Sequence, residues 1–264
     1  MSRVNLPKLH RMREEGVRIP VLTCYDASFA ALLEAAGIEV LLVGDSLGMV
    51  LQGHDSTLPV GIDDMVYHTA CTARGARSAF IVADLPFGSY QESPEQAYRS
   101  SARLMATGAH MVKLEGGAEF AATVRFITRR GIPVCGHLGL TPQSVHQLGG
   151  YRVQGRSADA EQTLLADAAA LEEAGAEMLV LEAIPAKLAA RVTADSGLIT
   201  IGIGAGPHCS GQVLVTHDML DVFPGKKARF VRNFMAGASS IADAVERYAK
   251  AVREGSFPGE EHSF

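Results

Sequence analysis

Short apolar runs recur along the chain, each closed by glycine, proline or a charged residue, and longer amphipathic stretches separate them. That alternation predicts buried parallel strands interleaved with helices. The strands read as residues 19–23 (IPVLT), 39–43, 79–84 (AFIVAD), 110–115 (HMVKLE), 133–137, 177–182 (EMLVLE), 198–204 (LITIGIG) and 213–217. Asp26 opens the alanine-rich helix that stops at Gly37, and further helices span about 63–74, 94–107, 118–130, 158–174, the stretch after Pro185, and 239–253. Serine, aspartate or proline at the starts and glycine at the stops are the expected helix punctuation. Strand and helix alternating eight times predict a closed (β/α)8 barrel, a TIM barrel of the α/β class. It is read as a single domain over 1–264, preceded by a short helix within 1–18. The polar, glycine-containing loop 139–156 is long for a connection and is expected to bind or cover a ligand.

The total of 264 residues suits one such barrel. With 24 basic and 29 acidic residues and no long run of either sign, the chain carries no electrostatic footprint for nucleic acid. No apolar signal core and no membrane-length apolar run occur, so a soluble cytoplasmic protein acting on small molecules is expected. Cys24, Cys71, Cys135 and Cys209 lie far apart without zinc spacing and read as reduced thiols.

The informative residues sit where apolar runs end: Asp45 and Ser46 on the second strand, Asp84 on the third, Lys113 and Glu115 on the fourth, His137 on the fifth, Glu182 on the sixth. Parity puts Asp45 on the face of Leu41 and Val43, Asp84 with Val82, Glu115 with Lys113 and Met111, and Glu182 with Val180. If those faces point inward, four carboxylates meet in one cavity, an arrangement that calls for a cation. Oxygen ligands without cysteine select Mg²⁺, with Asp45 and Asp84 as ligands and Glu115 as a third ligand or the holder of a metal-bound water. Lys113 is a partner for a substrate carboxylate together with Ser46, a Schiff-base former or a neutraliser of the acids. Glu182, behind the apolar MLVL, suits a general base with a raised pKa; the alternative is an ion pair with Lys113 or Lys187. His137 either bonds a substrate oxygen or ties core to loop. GIGAGP at 202–207 is a phosphate-binding turn or a tight turn allowing close approach.

VGDSLGMVLQGHDST, ADLPFGSY, VKLEGG, GHLGLTPQ, LVLEAIP and GIGAGPHCSGQVLV, in this order and spacing, resemble the 3-methyl-2-oxobutanoate (ketopantoate) hydroxymethyltransferase family. The resemblance runs from about Pro20 to the closing HSF; THDMLD and PHCS depart from the family's forms and lie outside the acidic cluster. It implies a Mg²⁺-dependent barrel of the phosphoenolpyruvate/pyruvate-binding type, moving a one-carbon unit from the co-substrate 5,10-methylenetetrahydrofolate to 3-methyl-2-oxobutanoate on the way to pantothenate. It further implies a cytoplasmic homo-oligomer, commonly a decamer. Position by position, it puts metal ligands at Asp45, Asp84 and Glu115, substrate contacts at Ser46, Asp84 and Lys113, the proton acceptor at Glu182 and a histidine near substrate at His137. Two other readings stay open: a Mg²⁺-dependent aldolase or carbon–carbon lyase on another 2-oxo acid, and a non-catalytic barrel.

Overall fold

The computed structural model describes residues 3–264. Among them, eight strands pair in parallel in chain order and close on themselves. They are β1 (Ile19–Thr23), β2 (Val40–Val43), β3 (Phe80–Asp84), β4 (Met111–Lys113), β5 (Val134–Gly139), β6 (Met178–Glu182), β7 (Ile199–Ile203) and β8 (Gly211–Leu214). The helices are α1 (Leu6–Glu14), α2 (Ala27–Ala35), α3 (Leu47–Val50), α4 (Ile62–Gly75), α5 (Pro94–Ala106), α6 (Ala121–Thr128), α7 (Ala158–Glu173), α8 (Ala186–Asp195), α9 (Thr216–Met219) and α10 (Ile241–Glu254). The barrel expected from the alternation is therefore present. No helix of the described residues is long and apolar enough to cross a membrane.

Two apolar layers hold it together. Val21, Val40, Leu42, Phe80, Val82, Met111, Met178, Val180, Ile199 and Val213 fill the barrel interior, and Leu9 and Met12 of α1 join them. The leading helix thus plugs the N-terminal end, each buried side chain contributing about 1.5–3 kcal/mol relative to exposure. Leu22, Leu41, Val43, Ile81, Val112, Val134, Leu179 and Leu181 point the other way, into the layer shared with the helices. Side-chain caps start α2 (Asp26), α5 (Ser93), α7 (Ser157) and α10 (Ser240), and Gly255 ends α10 with φ 72°.

The eighth strand lies earlier than the expected 213–217. A Cβ on Gly211 would fall 2.3 Å from the carbonyl oxygen of Ile19, so glycine is what lets β8 approach β1 and close the sheet. Thr216 donates its backbone N–H to Thr23 Oγ1 and starts α9, which removes Thr216 and His217 from the strand. The glycines of 202–207 serve close packing: a Cβ on Gly204 would meet the Phe230 ring at 2.6 Å, and one on Gly206 would meet Ala186 at 2.4 Å.

Candidate active site

At the C-terminal mouth, β3 ends on Asp84, β4 presents Lys113 and leads into Glu115, β5 contributes His137 and β6 ends on Glu182. Val82, Met111, Cys135 and Val180 belong to the interior layer, so the two-residue period carries these polar side chains inward as expected. The second strand breaks the expected parity. Leu41 and Val43 face the helices, and a continued strand would have sent Asp45 outward with them. The chain leaves the ladder after Val43 and coils into α3, and this turn swings Asp45 into the mouth. Asp45 donates its N–H to Asp84 Oδ2 at 3.1 Å, and both side chains are buried.

A chain of charged contacts crosses the mouth. Lys113 Nζ lies 2.9 Å from Asp84 Oδ1 and 3.9 Å from Glu115 Oε1. His137 Nδ1 lies 3.3 Å from Glu115 Oε1, and its Nε2 lies 3.3 Å from Glu182 Oε2. Asp84 Oδ1 and both ring nitrogens are nonetheless off the directions of a hydrogen bond, so these are charge contacts. Glu182 pairs with His137, not with Lys113 or Lys187. Ser46 Oγ lies 2.9 Å from the hydroxyl of Tyr25. The seven residues read from the sequence as functional, Asp45, Ser46, Asp84, Lys113, Glu115, His137 and Glu182, all line one cavity of about 580 Å³.

Burial, reinforced by the negative charges of Asp84 and Glu115, pushes the Asp45 carboxyl up to about 8. Burial alone would discharge Lys113, but Asp84, Glu115 and Asp45 outweigh it and hold the ammonium far above its usual range. The direction of that shift disfavours a Schiff base and favours Lys113 as a cation, in line with its 2.9 Å contact to Asp84. Burial and Lys113 draw His137 down, yet Glu115 and Glu182 on either side lift it to about 9. Burial acts to raise Glu115, but His137, Lys113 and the Gln143 N–H keep it below its ordinary value. The mouth thus gathers four carboxylates against two cations, and Asp45 meets that excess by keeping its proton up to about pH 8.

Among the described residues, no three Asp, Glu, His or Cys side chains form a finished ligand set. The donors that stand together are oxygens. Asp45 and Asp84 adjoin, Asp84 Oδ1 is buried without a hydrogen bond, and Glu115 Oε2 is engaged by the Gln143 N–H at 2.9 Å. Such a pair fits a hard cation held by one or two carboxylates and completed by water or ligand oxygens, as Mg²⁺ prefers, with Glu115 placed to hold a water.

Two side chains in this network escaped the sequence reading. Gln143, buried at the root of the long loop, donates through Nε2 to Asp45 Oδ2 at 2.9 Å, and Tyr90 lies with its hydroxyl 2.8 Å from Gln143 Oε1. The only sequence signal was position, since each lies within a motif quoted for other reasons. The rest of the loop is pinned again where Gln154 donates its N–H to Ala183 O, and between the pins Tyr151 and Arg152 reach the cavity. Lys226, Lys227 and Arg229 border it from the other side.

The chain matches the ketopantoate hydroxymethyltransferase family model over residues 3–260. It is 65% identical over 262 residues to the 3-methyl-2-oxobutanoate hydroxymethyltransferase of Azoarcus sp. (strain BH72), covering 99% of this chain and 97% of that one. Solved structures of similar fold include a phosphonopyruvate hydrolase complexed with oxalate and Mg²⁺ (TM-score 0.60, 13% identity, 81% of each chain). Another is a 2,3-dimethylmalate lyase of the PEP mutase/isocitrate lyase superfamily (TM-score 0.56, 16% identity, 79% of this chain and 80% of that one).

Proposed function

The chain belongs to the ketopantoate hydroxymethyltransferase family, a family of transferases, and from that premise we propose how its barrel mouth works. The proposed reaction moves the methylene carbon of 5,10-methylenetetrahydrofolate onto C3 of 3-methyl-2-oxobutanoate: the C3–H bond and the two bonds from that carbon to the folate nitrogens break, water supplies the hydroxyl, and 2-dehydropantoate and tetrahydrofolate are the products. The observation that carries this reading is the contact chain Asp84–Lys113–Glu115–His137–Glu182, which sets a carboxylate at one end of a buried mouth and an acidic pair at the other.

Lys113, kept charged by Asp84 and Glu115, takes the carboxylate of the oxo acid together with Ser46, whose hydroxyl Tyr25 orients. A Mg²⁺ ion held by Asp45 and Asp84, with Glu115 behind a bound water, would supply Lewis acidity at the 2-oxo oxygen, where negative charge grows as C3 loses its proton. Support for that cation comes from the donor set and from the Mg²⁺ in the phosphonopyruvate hydrolase of the same fold. Glu182 removes the C3 proton, and His137, between Glu182 and Glu115, fixes the orientation of the base. The apolar walls Leu42, Val180 and Ile203 exclude water around the reacting carbon.

The test is loss of the C3 proton signal of 3-methyl-2-oxobutanoate in D₂O, followed by proton NMR with and without Mg²⁺. Exchange that needs enzyme and Mg²⁺ is expected; its absence under every condition would sink the reading. Transfer that proceeds without tetrahydrofolate would point instead to an aldolase or lyase. The same reading takes the protein as a cytoplasmic homo-oligomer, a decamer by family resemblance. Analytical ultracentrifugation should then give a mass near ten times the 28.0 kDa chain, and a monomer peak would refute it.

A further inference from the structure

The mouth carboxylates are held by something other than the charges facing them. Gln143 is 5% exposed, and every polar atom of its amide is committed. Its Nε2 donates to Asp45 Oδ2 at 2.9 Å and to Leu85 O at 3.0 Å, while its backbone N–H donates to Glu115 Oε2 at 2.9 Å. One residue therefore grips two of the three acids proposed around the cation, one through its side chain and one through its backbone. An amide has two ends, and only the NH₂ end can donate to Asp45. The end-for-end choice is made by the Leu85 carbonyl, which can only accept, and Tyr90 meets the other end. Its hydroxyl, 2% exposed as a residue, lies 2.8 Å from Gln143 Oε1 and 3.0 Å from Glu115 O, and it accepts the Glu115 N–H at 3.3 Å. The single hydroxyl proton is shared between Oε1 and the Glu115 carbonyl, while Leu85 O keeps the NH₂ on the side of Asp45 and leaves Oε1 facing Tyr90. Gln91 Nε2, at 3.4 Å from Oε1, favours the same orientation.

We propose that Gln143 is a positioning residue for the divalent cation, with Tyr90 acting through it. By binding Oδ2 of Asp45, the amide leaves the other oxygen as the one free to face a cation beside Asp84. By binding Oε2 of Glu115, the backbone turns Oε1 toward Lys113 and His137. Because Gln143 is the root of the loop that runs on to Tyr151, the same bond couples the start of that loop to the carboxylates. The inference rests on the cation reading above. Outer partners of metal ligands of this kind are typically worth 10- to 100-fold in metal affinity.

The experiment is titration of the full-length protein with Mn²⁺ as a Mg²⁺ substitute, following free ion by electron paramagnetic resonance. The proteins are wild type, Gln143→Met, Tyr90→Phe and the double variant, with thermal melts run alongside. Methionine keeps the length of the side chain and the backbone N–H while removing the amide. The expected result is a Kd raised roughly 10- to 100-fold in Gln143→Met and several-fold in Tyr90→Phe, with the double variant no weaker than Gln143→Met. Wild-type affinity in Gln143→Met would overturn the proposal. An equal extra loss from Tyr90→Phe in both backgrounds would overturn the route through Gln143, because a merely structural effect of the tyrosine adds independently. Should wild type itself bind no Mn²⁺, the cation reading fails, and the positioning role falls with it. A fold loss would show in the melts, and in that case Gln143→Leu, which also keeps the backbone N–H and removes the amide, replaces methionine; unaltered Mn²⁺ binding there refutes the donor role equally.

Discussion

At the scale of single residues, the roles divide by what each side chain touches. Glu182 is the carboxylate of the mouth that lies outside the Asp45–Asp84 pair and contacts only His137 among the charged groups there. Its replacement by glutamine keeps shape and removes the proton acceptor, so kcat should fall by about 10² to 10⁴ with little change in KM. Loss of C3-proton exchange in parallel is the check, and near-normal exchange would take the role away from Glu182. Asp84 carries two burdens, since Oδ2 accepts the Asp45 N–H and Oδ1 faces Lys113. Asp84→Ala should raise the Mg²⁺ concentration needed for half-maximal turnover by tenfold or more, read from a metal titration; an unchanged titration would refute its part in holding the ion. The charged residues were legible in the sequence because a carboxylate closing an apolar run is conspicuous. Gln143 was not, because a neutral amide acquires its role from four partners that folding assembles across the chain.

Elements explain where that legibility ended. Every strand was found, since eight apolar runs of strand length leave few alternatives. Boundaries and directions were less secure. The parity expected for Asp45 was wrong while the placement was right, because the turn at Gly44 resets the period; a Cβ there would fall 2.8 Å from Ser46 Oγ. The eighth strand was displaced for a comparable reason. Val213 continues β8, but its start is dictated by Gly211 against β1, a contact between residues almost two hundred positions apart. Gly211→Ala forces a Cβ to 2.3 Å from Ile19 O and to 2.8 Å from Ile201 Cδ1, with backbone as the nearer obstacle. The seam between β7, β8 and β1 should open to relieve it, at a cost of about 1–3 kcal/mol or more. Chemical denaturation should show a lower midpoint with the slope kept, and a midpoint equal to wild type would mean that the seam yields without strain.

For the whole molecule, the acidic mouth sets how stability depends on pH. Asp45 in the folded protein titrates near 8, above the ordinary 3.8 that the unfolded chain shows, and His137 titrates near 9, above its ordinary 6.5. Both groups therefore keep a proton in the folded state after the unfolded chain has released it. Stability falls with rising pH wherever the folded state binds more protons. For Asp45 the fall begins above its unfolded value and is complete past about 8. For His137 the stabilisation is fully present below about 6.5 and is lost as pH rises through about 9. The two windows overlap between 6.5 and 8, so the cation-free protein should lose melting temperature steadily there. A divalent cation beside Asp45 and Asp84 favours the ionised carboxylate and removes the Asp45 part of that slope. Melts from pH 6 to 9, with EDTA and with saturating Mg²⁺, should therefore diverge as pH rises, the Mg²⁺ curve lying above and running flatter. Parallel curves would mean that no ion is held by the carboxylates that make this mouth acidic.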